Sequence, residues 1–259
     1  MKRISQKYVD SNGNIIRCPK DMKSLLNYNI LNLLNKARRT GWLDLPVIHC
    51  NADVTPSFLA LYKEKALYNK TDNTAVCFYS YDNDFDGKYG LFWAIYHNDT
   101  KRLEYFKLRF KNVKIFITPD YSIFNDVHKI ENLIRIWKAR LITLWLSLEL
   151  KAIVIPNASY TDEIDFPINF CGLDECGTIA FSIKSHIRYR RERKLCENAI
   201  KYVVDNFKNL KTIIVYSACG NDENCLRLFK YAIEKRIKVF VPDNTLLIRN
   251  RLKWREKHV

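Results

Sequence analysis

Glycine and proline are scarce here, seven of each in 259 residues, and methionine occurs twice. With so little glycine, the phosphate-cradling loops are missing: there is no G-x-x-x-x-G-K-S/T and no G-x-G-x-x-G, which speaks against a Walker-type NTPase or a Rossmann dinucleotide enzyme. No G-x-S-x-G occurs, and no cysteine or serine has an evident histidine partner, so nucleophilic catalysis finds little support. The five histidines are scattered, and the closest cysteine pairs, Cys171 with Cys176 and Cys219 with Cys225, are spaced more widely than a zinc knuckle. Long uncharged apolar runs are also lacking. Ile130 to Leu150 has the length of a membrane span, but Glu131, Arg135, Lys138, Arg140 and Glu149 interrupt it, which predicts a buried amphipathic helix and no membrane partner. The start, MKRISQKYVD, has no apolar core of a signal peptide, so the eight cysteines are expected to be reduced in a cytoplasmic protein.

What is present is ample apolar and aromatic material, 47% and 13% of residues, enough to bury a full core. The formal charge of +15 favours polyanions, because Lys and Arg contacts to phosphate release counterions. The abundance of Asn, Ile, Lys and Tyr is also what an AT-rich genome produces, so charge alone leaves DNA or RNA binding open.

An arm with a turn signal at Asn12-Gly13-Asn14 precedes a helix capped by Asp21, running through Leu25, Leu26, Ile30, Leu33 and Leu34 to Arg39 and stopped at Gly41. Residues 1–41 read as this attachment and 42–259 as one α/β domain. Strands are expected at Pro46 to Ile48, Ala75 to Tyr81, Val113 to Thr118, Ala152 to Ile155, Thr178 to Ile183, Thr212 to Ser217 and Lys238 to Val241. Helices are expected at Val127 to Leu150, Arg193 to Phe207 and Asn224 to Arg236, with a helical connection in Tyr89 to Phe110 and a basic covering helix from Thr245. Continuous apolar strands alternating with helices predict a largely parallel sheet with flanking helices, either incomplete and (β/α)-barrel-like or doubly wound.

Three apolar runs close on a carboxylate or amide: KIFITPD at Lys114 to Asp120, KAIVIPNASYTD at Lys151 to Asp162, and KVFVPDN at Lys238 to Asn244. Ligands gather beyond the carboxyl ends of parallel strands. Asp120, Asp162 and Glu163 are therefore the candidate catalytic carboxylates, with Asp120 and Asp162 able to hold Mg2+. Asn157, Ser159, Tyr216 and Asp243 would complete a polar pocket. An Asp just past a strand is also an ordinary helix cap or turn residue. Asp82 to Gly87 has the opening of a calcium loop, but Trp93 stands where the bidentate Glu is needed, leaving an acidic turn. The strongest basic patch is KSHIRYRRERK, where Lys184, His186, Arg188, Tyr189, Arg190, Arg191, Arg193 and Lys194 mix phosphate forks with a ring for stacking.

TPDYS at Thr118 to Ser122, a helix with Trp137, Arg140 and Trp145, VIPNASYTD at Val154 to Asp162, Gly177 before TIAFS, and VYS at Val215 to Ser217 follow one another in a familiar order. In this the chain resembles a family of phage, plasmid and bacterial-chromosome proteins known as domain of unknown function 4417, over roughly Leu45 to Asn244. Ser217 stands where that family usually has glycine, and Tyr160 where tryptophan is common. The resemblance implies a fold and a mobile-element context, and no catalytic roles. Three readings follow: a nucleic-acid-binding protein of a mobile element, a metal-dependent enzyme acting on a phosphate-containing substrate, and a non-enzymatic factor that occupies a host or defence protein.

Overall fold

The computed structural model describes residues 7–9, 15–17, 28–50, 53–184 and 189–258. An antiparallel pair, β1 (Lys7–Val9) and β2 (Ile15–Arg17), comes first. The turn signal between these strands, and the Asp21 cap with Leu25 and Leu26, lie outside the described residues. Helix α1 is shorter than its periodicity suggests, Tyr28–Leu34. It buries Ile30 and Leu33 in the main core, so the attachment packs against the domain. Gly41 does not end this helix. It turns, at φ 69°, between β3 (Arg39–Thr40) and β4 (Leu45–Pro46), an antiparallel pair, and the strand expected at Pro46 to Ile48 is absorbed there.

The parallel array begins instead at β5 (Phe58–Leu61). It continues through β6 (Thr74–Cys77), the helices α2 (Asp82–Asp86), α3 (Leu91–His97) and α4 (Thr100–Arg109), then β7 (Ile115–Ile117), α5 (Lys129–Leu150) and β8 (Ile153–Ile155). After α6 (Phe166–Asn169) come β9 (Thr178–Ser182), α7 (Arg190–Asn206), β10 (Thr212–Tyr216), α8 (Asp222–Leu228), α9 (Lys230–Glu234), β11 (Lys238–Phe240) and the basic α10 (Thr245–His258).

Two parallel sheets result, β5-β6-β7-β8 and β9-β10-β11. Spatial order follows chain order without reversal, which is the barrel-like arrangement and not the doubly wound one. The sheets meet at two seams, each a single bridge. At one, Asn157 faces Ala180, and Ala158 N–H donates to Ala180 O at 2.8 Å; at the other, Phe58 faces Asp243, and Leu59 N–H donates to Asp243 O at 2.8 Å. Among the described residues no continuous ladder closes the ring.

Side chains sort by the two-residue period of a strand. Leu59, Ala75, Cys77, Ile115, Ile117, Ile155, Ala180 and Ile214 form one buried cluster, with Leu61, Ile153 and Phe240 packed on it, so every strand of the array contributes. Their neighbours Ala60, Val76, Phe116, Val154, Ile179, Phe181, Ile213 and Val215 join the larger core beneath the helices. The strands are apolar on both faces because both are covered.

Helix α5 lies between the sheet and α1 and α3, and is buried continuously from Arg140 to Leu146. Arg140 is the unusual member. Its guanidinium donates to the carbonyls of Asn169 and Cys171, each at 3.3 Å, and burial pulls its pKa down to about 10. Among the described residues no helix is long and apolar enough to cross a membrane, and no disulfide joins the cysteines.

Candidate functional site

The carboxyl ends of β6, β7 and β8 share one hydrogen-bonded network, and the end of β10 stacks a ring on it. Asn157 is its centre: the backbone N–H donates to Thr118 Oγ1 at 2.9 Å, and Nδ2 donates to Asp120 Oδ1 at 2.7 Å and to Ser159 Oγ at 3.0 Å. Its Oδ1 accepts from the Tyr79 hydroxyl at 2.9 Å, while Ser159 Oγ donates to Asp120 Oδ1 at 3.3 Å. Tyr79 is stacked on Tyr216, ring centroids 4.6 Å apart. Local structure explains the convergence. Tyr79 continues the inward parity of Ala75 and Cys77, Asn157 that of Ile153 and Ile155, and Tyr216 that of Ile214.

Asp120 therefore has one oxygen, Oδ1, held by two donors, and its second oxygen accepts no hydrogen bond among the described residues. The side chain keeps partial solvent contact, yet the dense protein around it pushes its carboxyl up to about 6. Burial is the main cause. The bonds from Ser159 and Asn157 act in the opposite sense, and the charge of Asp82 adds to the rise. Burial, with Asp120 close by, raises the Tyr79 hydroxyl well above its ordinary range, so it remains a donor. A carboxyl that titrates near neutrality at a strand end, with one oxygen fixed and the other available, is equipped to take up and return a proton.

A second feature lies beside it. Asn125, beyond Asp120, and Thr161, Asp162 and Glu163, beyond Ser159, line a cleft of about 510 Å3 whose other wall is Arg190, Arg191, Lys194 and Leu195. Part of the basic patch thus faces the loops that follow β7 and β8. Arg190 and Arg191 open the seventeen-residue α7, which is anchored by Cys196, Ala199, Ile200 and Val203 on its buried face. Lys184, Tyr189, Arg190, Arg191, Arg193 and Lys194 are exposed. His186 and Arg188 lie outside the described residues.

The other sequence candidates have local duties. Asp162 Oδ1 accepts from Glu163 N–H at 2.6 Å and caps a short 3-10 turn, and Glu163 accepts from Asn198. Asp243 pairs with Arg251, and the cap of α10 is its neighbour Asn244, whose Oδ1 accepts from Leu247 N–H at 2.9 Å. Asp82 to Asp86 form a helix. Its carboxylates diverge, Asp82 to Ser122 N–H, Asp84 to Lys63 at 2.8 Å and Asp86 to Lys138 at 2.7 Å. Among the described residues no group of three or more His, Cys, Asp or Glu is placed to hold a metal ion. Tyr79 and Thr118 were not singled out by sequence reasoning, although strand parity and the terminal position of the TPD motif mark both.

Fold and site together define a parallel α/β protein whose polar residues gather where its strands end. Over residues 37–232 the chain matches the model of a domain of unknown function, DUF4417, and it belongs to that family. No curated protein and no solved structure matches it.

Proposed function

We propose that this protein binds nucleic acid through its phosphate backbone, as a cytoplasmic protein of a phage or other mobile element. The observation that carries this reading is the cleft walled by Arg190, Arg191 and Lys194. Positive side chains in the first turn of a helix oppose its macrodipole, each by a few tenths of a kcal/mol, and a phosphate seated there reverses that balance. The two guanidinium groups offer planar forks suited to phosphate oxygens. Asp162 and Glu163 on the facing wall are already engaged by Glu163 N–H and Asn198, which tempers their repulsion.

The test is binding of labelled single- and double-stranded DNA and RNA across a salt series, comparing the natural chain with Arg190→Ala/Arg191→Ala/Lys194→Ala. Three lost phosphate contacts flatten the slope of log K against log salt by about 2 to 3. A triple variant with unchanged affinity and slope removes this cleft from the reading.

A second reading is favoured by Asp120 itself. As an enzyme on a phosphate-containing substrate, the protein would use Asp120 to move a proton at the strand ends. An activity that survives in Asp120→Asn with kcat unchanged would exclude this role.

A further inference from the structure

A third polar region flanks the network on the side away from α7. Tyr62, directly after β5, and Tyr89, in the connection after β6, line a second cleft of about 510 Å3 with Lys101, Arg102, Tyr105 and Arg109 of α4. Tyr89 and Tyr105 are 66% and 44% exposed, and Tyr81 nearby is 82% exposed. Each ring carries a cation: Arg102 is 4.6 Å and Lys88 5.8 Å from the Tyr89 centroid, Lys65 is 5.4 Å from Tyr105, and Lys63 is 5.6 Å from Tyr81. One such pair on a surface is commonplace.

Here Tyr89 and Tyr105 share one cleft, and the cations lining and flanking it outnumber its carboxylates, Asp84 and Asp99. Asp84 is engaged by Lys63, and Asp99 caps α4 and pairs with Arg102. Lys65, Lys88 and Lys101 are exposed and form no ion pair among the described residues; Lys65 Nζ donates to the Tyr105 hydroxyl at 2.7 Å. Exposed aromatic rings interleaved with ammonium groups that no carboxylate neutralises complement a ligand of flat rings on an anionic backbone.

The strand order sets the three regions in succession around the mouth. The tyrosine cleft adjoins β5 and β6, Asp120 and Asn157 follow β7 and β8, and the arginine cleft adjoins β8 and β9. Counted round the array, four strand spacings separate β5 from β9, an arc on the order of 20 Å that a chain crossing the mouth shortens. This suits a few nucleotides of unpaired chain with bases splayed, whereas a duplex hides its base faces. We propose that the Tyr89–Tyr105 cleft is a base-stacking subsite, and that single-stranded nucleic acid crosses the strand-end mouth from Arg190 and Arg191, past Asp120, to these tyrosines. The proposal rests on the nucleic-acid reading above and adds to it the single-stranded form and the place where bases are held.

The test uses the full chain with a labelled single-stranded oligonucleotide of about 12 nucleotides, a size typical of such sites, and the corresponding duplex. Three variants are compared: Tyr89→Ala/Tyr105→Ala, Tyr89→Phe/Tyr105→Phe and Arg190→Ala/Arg191→Ala. The alanine pair is expected to weaken single-strand binding by about tenfold or more, from the stacking lost per base. It should leave duplex binding and the salt slope unchanged, and the phenylalanine pair should stay within about twofold of the natural chain because the rings remain. Equal affinity of the alanine pair and the natural chain overturns the proposal, as does an equal loss in both tyrosine variants. Binding that depends on Arg190 and Arg191 but not on the tyrosines leaves the phosphate reading standing and removes only the stacking subsite. Failure of the natural chain to bind any oligonucleotide at low salt overturns both.

Discussion

Asp120 is the residue whose surroundings work most directly against its own charge. Below about pH 4 the carboxyl is protonated in the folded and unfolded chains alike. Between there and the folded value of about 6 the unfolded chain releases the proton while the folded chain retains it. Stability therefore falls as pH rises through this window, by up to about 3 kcal/mol before allowance for the partial solvent contact of the side chain. Asp120→Asn keeps an acceptor for Asn157 and Ser159 without the charge. It is expected to be more stable than the natural chain at neutral pH, by about 1 to 2 kcal/mol, with the difference closing near pH 4. Denaturant titrations at the two pH values check this, and a gain of equal size at both would contradict the account of burial. Asp120, Asn157 and Ser159 were legible in the sequence because each follows an apolar run that must be a buried strand. The local duties of Glu163 and Asp243 were not, since their partners Asn198 and Arg251 stand on helices whose facing the sequence does not disclose.

At the scale of elements, the C-terminal helix is tied to the end of β10 by two amides, Asn250, whose Nδ2 donates to Ala218 O at 2.7 Å, and Asn244. Asn244 caps α10 through Leu247 N–H, and its Nδ2 donates to Ser217 O at 2.9 Å, beyond the end of β10. Asn244→Ala removes the cap and leaves a buried carbonyl unpaired, so a loss of about 2 to 3 kcal/mol is expected from denaturant unfolding. A loss below about 0.5 kcal/mol would mean that α10 is held without this cap, by packing, Asn250 and the Arg251–Asp243 pair. Long elements were readable: α5 and α7 lie close to their expected bounds, and the Tyr89 to Phe110 region is helical, as α3 and α4, because a parallel neighbour requires a crossover. The strand β5 escaped notice. In FLALY apolar residues fall on both faces, so no alternation separates it from a helical fragment. Pro46 to Ile48 looked equally apolar and instead forms part of a hairpin turned at Gly41, a distinction made by tertiary pairing.

For the molecule as a whole, the net charge of +15 is legible at once, but its use is not, because charge is a property of surface placement and only some basic residues face a cleft. The parallel architecture was legible in outline, and the choice between its two forms came from strand order, which no local pattern encodes. That order brings a mechanical consequence. Ladders of three to five paired residues hold the strands within each sheet, whereas single bridges at Asn157–Ala180 and Phe58–Asp243 join the sheets. The seam amides of Ala158, Ala180, Leu59 and Asp243 are expected to exchange with deuterium before those at the centres of β6 and β10, and equal protection would contradict this. The array is thus built like two staves hooped at their edges. Opening either seam would change the width of the strand-end mouth while leaving the hydrogen bonding inside each stave undisturbed.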